Sequence, residues 1–285
     1  MTGGQFHIGM LAFHLRHVQS RIGTSNMKFR LAVMLTATLA AQAVSAQPTS
    51  GNTATANLAT DKWTYSITPY VWALGITGSV SHNSRSTGQL KLTPGDLLSD
   101  IKMAAMVVAE ARHQRFGLYL DAMYGDLGKT SSKVIGRTDL HANTSAKLSM
   151  VTLAPSFTLH QSSSLYLDGL IGARYLWLQA DSKITDPALG VSLKPSSTQN
   201  ITAVVAGLKG RWNLGSSNYF VPFYVDVGGG QSSSFTSQAY LGIGRGFEWG
   251  DVSLVAKNVY YQFKPNKTSV DMNLFGAAVA VTFRF

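Results

Sequence analysis

The chain contains no cysteine, and only 13% of its 285 residues are charged. The missing thiols exclude disulfide bonds, thiolate metal sites, cysteine nucleophiles and a lipid anchor on cysteine. No apolar run reaches about 18 residues, the length that a membrane-spanning helix needs. The sequence therefore excludes a disulfide-stapled domain and a bundle of spanning helices.

Glycine and aromatic residues are abundant instead. The chain has 27 Gly, 13 Phe, 11 Tyr and 5 Trp, and 45% of its residues are hydrophobic. A chain with so many large apolar side chains and so few charges is not wholly disordered.

Residues 27–46 have the three parts of a secretory signal peptide. Residues 27–30 form a basic start, residues 31–43 are apolar, and residues 44–46 end in small side chains. A signal peptidase reads such small residues, so we expect cleavage after Ala46. The apolar stretch is too short to anchor the chain in a membrane.

The segments on either side of this signal have different compositions. We interpret residues 1–26 as a mis-annotated or artefactual extension, residues 47–60 as a flexible periplasmic lead-in, and residues 61–285 as the folded domain. Removing residues 1–46 lowers the net charge from +10 to +6. The remaining basic residues form no cluster, which argues against a nucleic-acid partner.

From Trp63 onward, apolar residues alternate with small or polar residues, and turn-rich segments interrupt the alternation. This pattern predicts an all-β fold of about ten strands, with eight or twelve as open alternatives. The predicted strands are 63–79, 103–114, 116–127, 144–160, 164–180, 199–213, 219–230, 238–248, 251–263 and 270–285. Short connections alternate with long ones, which is typical of a transmembrane antiparallel up-and-down β-barrel in the bacterial outer membrane. An even count places both chain ends on the periplasmic side.

Several short segments of the predicted strands form a recognisable set. They are Thr68-Pro69-Tyr70-Val71-Trp72, Glu110-Ala111-Arg112, Gly117-Leu118-Tyr119-Leu120-Asp121, Gly172-Ala173-Arg174-Tyr175 and the C-terminal Phe285. Over residues 61–285 the chain resembles the bacterial outer-membrane β-barrel proteins of the broad group that includes OmpA, OmpX, OmpW and PagP. The resemblance implies the fold and the location but supplies no reaction. It also implies that Phe283 and Phe285 are recognised by the barrel-assembly machinery, and that outer-membrane lipid and lipopolysaccharide surround the barrel.

Charged residues occur on the face that the alternation turns toward the lumen. They are Glu110, Arg112, Asp121, Asp168, Arg174, Lys209, Arg211, Asp226 and Arg284. They could form ion pairs that fill a narrow barrel, or line a selective pore for a small polar solute. Two further charges are ambiguous: Arg245 shares its parity with lipid-facing residues unless a bulge turns it, and the pattern around Lys257 is mixed on both faces.

The first long connection, Leu92 to Ile101, predicts a short helix that begins at Thr93 or Pro94. It could be a lid in the barrel mouth or a cap on its rim. A catalytic rim would use His82 or His141 with a neighbouring Ser or Asp, but a lone loop histidine is usually solvated. No spacing of acids or histidines predicts a metal, and no motif predicts a cofactor.

These patterns favour a non-enzymatic, exported outer-membrane barrel with a filled or gated lumen. A narrow passive channel for small polar solutes is the first alternative. An enzyme acting on lipid or peptide at the outer rim is the second.

Overall fold

The computed structural model describes residues 61–82, 85–135, 138–186, 191–194, 196–230, 234–264 and 268–285. The extension, the signal with its Ala46 cleavage site and the lead-in lie outside these residues and stay predictions. The elements are β1 (Thr64–His82), β2 (Arg85–Leu92), α1 (Pro94–Asp100), β3 (Ile101–His113), β4 (Phe116–Ile135), β5 (Thr138–Gln161), β6 (Leu165–Asp186), β7 (Val191–Leu193), β8 (Ser196–Asn213), β9 (Tyr219–Gly230), β10 (Ser234–Phe247), β11 (Gly250–Phe263) and β12 (Thr268–Arg284).

Ten of these strands form a closed wall in which each neighbour is antiparallel. Around the wall they are β1, β3, β4, β5, β6, β8, β9, β10, β11 and β12. The last strand pairs back onto the first, from Ser66 with Arg284 to His82 with Thr268, and this pairing closes the sheet. The short strands β2 and β7 only extend β1 and β6 into hairpins. The predicted ten-stranded up-and-down barrel is confirmed.

Four connections of two to five residues lie at one end of the barrel, together with both ends of the folded chain, whereas at the other end β4, β5 and β6 extend to lengths of 20, 24 and 22 residues. The four connections are residues 114–115, 162–164, 214–218 and 248–249. At the same end, Tyr65 and Phe285 exchange two backbone hydrogen bonds, with N···O distances of 3.1 and 2.9 Å. Short turns face the periplasm in outer-membrane barrels, so we call this the periplasmic end and the opposite one the outer end.

Several strands are longer than the alternation predicted. The connection expected over residues 128–143 is largely a hairpin of β4 and β5, whose pairing continues to Ile135 with Thr138. β5 has 24 residues and β6 has 22, whereas about 9–11 tilted residues cross a bilayer. The extra residues are rich in Ser, Thr and Lys, because a strand that has left the bilayer no longer needs an apolar face.

The helix predicted after Leu92 is present as α1. Thr93 caps it: the Asp96 carboxylate accepts hydrogen bonds from the Thr93 backbone N at 2.9 Å and from its hydroxyl at 2.7 Å. The Thr93 Oγ1 in turn accepts a bond from the Asp96 backbone N at 3.3 Å. Leu97 is buried. Within the described residues, no helix is both long and apolar enough to cross a membrane.

Candidate functional site in the barrel interior

Charged side chains meet inside the barrel near its periplasmic end. Asp251 is the second residue of β11, and its carboxylate accepts a bond from Arg211 Nη1 at 2.6 Å and another from Arg284. The Arg211 guanidinium also lies over the Phe220 ring, 3.4 Å from its centroid. One acid therefore holds two strand-end arginines together.

A second charged group lies slightly deeper. Arg112 Nη2 is 2.5 Å from Asp168 Oδ2, and Lys209 Nζ is 2.6 Å from Glu110 Oε2 and 3.4 Å from Asp168 Oδ2. Tyr166 donates its hydroxyl to the same Asp168 carboxylate. The Asp168 side chain has no exposed surface, so this charge is neutralised entirely by protein groups.

The third group, which we call the mid-barrel network, lies farther from the periplasmic turns. Arg174 pairs with Asp226 through both terminal nitrogens and donates from Nη2 to Gln238 Oε1 at 3.0 Å. Gln238 Nε2 donates to Asp121 Oδ2 at 3.1 Å, and Lys257 Nζ reaches the same oxygen at 2.9 Å. The chain of contacts crosses the interior between opposite parts of the wall.

Two neutral groups complete this network. Arg174 Nε donates to Thr152 Oγ1 at 2.9 Å, and the Tyr70 hydroxyl donates to Asp121 Oδ1 at 2.9 Å. Arg174 and Thr152 are fully buried. A water-filled passage beside them would expose their polar atoms, so the interior at this height is filled by hydrogen-bonded side chains.

Beyond the mid-barrel network, toward the outer end, the interior becomes apolar. The buried side chains of this half, which we call the apolar half, are Trp72, Met123, Leu148, Met150, Leu176, Ile201, Val255, Val259, Tyr261, Phe263, Leu274 and Ala278. The sequence analysis expected small or polar residues along the whole lumen, and this expectation was wrong for the outer half. The signal was available, because the inward positions of β12 include Leu274 and those of β4 include Met123.

The outer surface of the wall carries large apolar side chains. Val71, Ile171, Val204, Leu241 and Leu254 are exposed on it. Aromatic side chains lie exposed near the periplasmic turns, among them Trp63, Phe116, Trp212, Tyr219 and Trp249. A closed antiparallel wall with an apolar belt and an aromatic girdle matches the hydrocarbon and headgroup zones of a bilayer. The chain is a bacterial outer-membrane β-barrel.

Comparisons with known proteins add three likenesses to this barrel. No protein-family model and no curated protein matches its sequence. Among solved structures, it is similar to the outer-membrane protease OmpT from Escherichia coli, with 9% identity and a TM-score of 0.46 over 79% of this chain and 98% of that one. It is similar to the translocator domain of the autotransporter NalP from Neisseria meningitidis, with 16% identity and a TM-score of 0.39 over 80% and 90%. It is also similar to Ail, the attachment invasion locus protein of Yersinia pestis, with 13% identity and a TM-score of 0.31 over 79% of this chain and 100% of that one.

The barrel places all nine charges expected at the lumen in these three groups. Sequence reasoning missed Asp251, Gln238 and Tyr70, and it left Lys257 undecided. Lys257 points inward and is buried, whereas Arg245 is exposed on the outer face, over the rings of Tyr219 and Phe247 at 5.6 and 5.2 Å. The bulge that would have turned Arg245 inward is absent, since the β10 pairing with β11 runs without a shift there.

The remaining sequence expectations concern metal ligands and the histidines near the ends of the barrel. Among the described residues, no three acids or histidines are grouped so that they could hold a metal ion. The side chains of His82 and His141 lie outside the described part of the chain. His113 and His160 end up beside the periplasmic turns, and His113 Nε2 is 3.4 Å from Asp61.

Proposed function

We propose that this protein is a non-enzymatic component of the outer-membrane envelope whose lumen is closed by ion pairs and does not conduct ions. The observation that carries the proposal is the mid-barrel network, in which the side chains of Arg174 and Asp226 have no exposed surface. An ion would have to displace the bonded partners of these groups, which leaves buried charges uncompensated at a cost of several kcal/mol.

Planar-bilayer recording of refolded residues 47–285 tests this proposal. Folding is checked first by the change in gel mobility on boiling. The folded barrel should give no steady conductance at about 1 M salt, where the Debye length is only about 3 Å. Steady conductance that scales with salt would contradict the closed lumen and would make the charges selectivity residues.

A matched variant keeps this test informative. Substituting Arg174, Asp226 and Gln238 by alanine shortens three interior side chains and removes both charges of the pair together. We expect a folded variant that admits water to the vacated space beside Thr152, so that a charged, water-soluble methanethiosulfonate reagent labels Thr152→Cys in this variant but not in the otherwise native barrel. Equal protection of Thr152→Cys in both folded barrels would contradict the role of the network as the element that closes the lumen at this height.

We also propose that the last strand carries the signal for barrel assembly. Phe283 and Phe285 share the outward face of this strand end, and the Phe285 side chain is 73% exposed. Both rings are therefore exposed on the folded barrel, where a partner can contact them. Replacing both by alanine should lower the amount of folded barrel in the outer membrane, while Arg284, which is bonded inside the barrel to Asp251, stays in place.

A further inference from the structure

The apolar half contains two buried polar atoms without a hydrogen-bond partner among the described residues, Trp72 Nε1 and the Tyr261 hydroxyl oxygen. Trp72 is 2% exposed, and its Nε1 makes no hydrogen bond within the described residues. A methyl group on Gly276 would lie 1.9 Å from the Ala73 carbonyl oxygen and 3.2 Å from this nitrogen, so only glycine lets β12 approach β1 this closely beside Trp72. A buried N–H without an acceptor is costly, and a guest molecule that supplied one would remove that cost.

The side chains around this donor can adjust to a guest. Met123 and Met150 belong to the buried cluster, and Met106 and Met272 pack against it. Methionine is unbranched and polarisable, so it repacks around irregular apolar shapes more readily than leucine or valine. The surroundings of Trp72 thus combine an adaptable apolar wall with an unsatisfied N–H, beside the Lys257 ammonium, whose nitrogen lies 5.3 Å from the Trp72 ring centroid.

The wall is interrupted next to this site. On the side that faces β3, β1 is paired only over Thr64–Pro69, with Val107–Arg112. Residues 70–75 of β1 and 101–106 of β3 have no strand partner across this boundary within the described chain, although both strands stay paired on their other sides. We call this boundary the seam; Pro69 is the last paired residue of β1 along it.

Helix α1 lies at the outer end of the seam. Leu92, just before it, pairs with Ile76, and Ile101, just after it, pairs with Leu127. A methyl group on Gly75 would lie 3.3 Å from Pro94 Cδ. The unpaired stretch below α1 therefore lies between the last β1–β3 pair and the helix, at the height of the apolar half.

We propose that the apolar half binds a small, free apolar molecule that carries one acceptor oxygen, and that this molecule enters from the membrane through the seam. The acceptor oxygen bonds to Trp72 Nε1, and the apolar body replaces methionine contacts. The mid-barrel network closes the space toward the periplasm and favours entry through the wall. The proposal goes beyond the closed-lumen function, because it concerns only the outer half.

Equilibrium dialysis of the barrel in lipid nanodiscs, against empty nanodiscs, tests the binding site. The two probes are 2-acetylnaphthalene, which has an acceptor oxygen, and 2-ethylnaphthalene, which has the same shape and none. We expect saturable binding of both and about tenfold tighter binding of the acetyl probe, as one additional hydrogen bond supplies. Equal uptake by loaded and empty discs would overturn the proposal.

Two tryptophan variants locate the acceptor contact. Trp72→Phe keeps an aromatic ring and removes the N–H, so it should abolish the preference for the acetyl probe. Trp249→Phe makes the same change on the exposed periplasmic rim and should leave both affinities unchanged. A preference that survives in Trp72→Phe would overturn the assigned donor.

Cross-linking tests the entry route, since the chain has no cysteine of its own. The β1–β3 register, extended beyond Pro69, places Ala73 opposite Met103. Joining Ala73→Cys to Met103→Cys with a short bifunctional maleimide should slow probe uptake at least tenfold. The control joins Ala73→Cys to Ala277→Cys, a pair already opposed across β1 and β12, and should not change the rate. An unchanged rate after the first cross-link would overturn entry through the seam.

A lipid chain is the competing occupant, and a fluorescence measurement separates it from a free molecule. In a variant with Trp72 as its single tryptophan, the other four being changed to Phe, nanodiscs made from phospholipid with brominated acyl chains should leave the emission unquenched. Added 2-acetylnaphthalene should then quench it. Strong quenching by the brominated lipid alone would contradict a small free ligand.

Discussion

At the scale of single residues, each interior charge lies beside a charge of opposite sign. The bases are Arg112, Arg174, Lys209, Arg211, Lys257 and Arg284, and the acids are Glu110, Asp121, Asp168, Asp226 and Asp251; each of these acids lies within ion-pair distance of at least one of the bases. A low-charge chain has thus concentrated many of its charges where they contact one another. Such pairs add little net stability, but they are costly to break singly.

Arg174→Met should therefore destabilise the barrel by about 3–5 kcal/mol, because it leaves the Asp226 carboxylate buried without its base. The double variant Arg174→Met/Asp226→Leu removes both charges and should regain most of that loss. Urea unfolding of the refolded barrel, followed by tryptophan fluorescence, measures both values.

Arg245→Met is the control for this cycle, since Arg245 is exposed on the outer surface. It should change the free energy of unfolding by less than about 1 kcal/mol. A double variant that is as unstable as Arg174→Met alone would show that packing, and not the uncompensated charge, determines the loss.

At the scale of strands, Gly172 is a position at which glycine permits close approach of two neighbouring strands. A methyl group on Gly172 of β6 would lie 2.1 Å from the Leu153 carbonyl oxygen and 2.5 Å from Ala154 Cα. Both are backbone atoms, so the neighbouring strand itself would have to move. Gly125 of β4 is the opposite case, since nothing lies within 4 Å of its added methyl group.

Gly172→Ala should consequently lower the free energy of unfolding by about 3 kcal/mol, the upper end of the usual cost of overpacking. Gly125→Ala should have little effect or stabilise the strand slightly. The gel-mobility shift as a function of urea concentration measures both. Equal midpoints for the two variants would contradict the close β5–β6 approach.

The cap of α1 gives a second prediction at this scale. Thr93→Ala removes the hydroxyl that bonds to Asp96 and should cost the helix about 1 kcal/mol. Hydrogen exchange at the Leu97 amide, which donates to the Thr93 carbonyl at 3.2 Å, should become faster. Unchanged exchange at Leu97 would show that contacts with the wall, and not the cap, maintain the helix.

The elements themselves were largely predictable from the sequence. Period-two alternation found the ten strands of the wall, and the helix start expected at Thr93 or Pro94 found α1. The hairpin beyond Lys129 was missed, because a polar strand outside the bilayer has no apolar face to reveal it. The inward direction of Lys257 was missed because Val255, Val259 and Tyr261 share its face, and an apolar inward face is not the usual pattern for a lumen.

At the scale of the whole molecule, the barrel has an apolar belt outside and two different halves inside. The periplasmic half holds the charge groups, and the outer half holds the apolar cluster. Stacked tyrosines lie within the periplasmic half, between the Asp168 group and the mid-barrel network: Tyr224 is 5.5 Å from Tyr119 and 5.4 Å from Tyr240, measured between ring centroids. The interior is therefore a packed core for most of its height, as expected of a barrel only slightly wider than eight strands.

Water does not reach the middle of the barrel, because the interior side chains fill it. Val205 tests this exclusion of water most directly, because its side chain is inward, fully buried and free of polar contacts, and the chain has no other thiol once Val205→Cys is made. A charged, water-soluble methanethiosulfonate reagent should fail to label Val205→Cys in the folded barrel, from either side, while it labels Ser216→Cys in the exposed 214–218 turn. Labelling of Val205→Cys at a rate comparable to that of Ser216→Cys would mean that the lumen is open and would contradict the account.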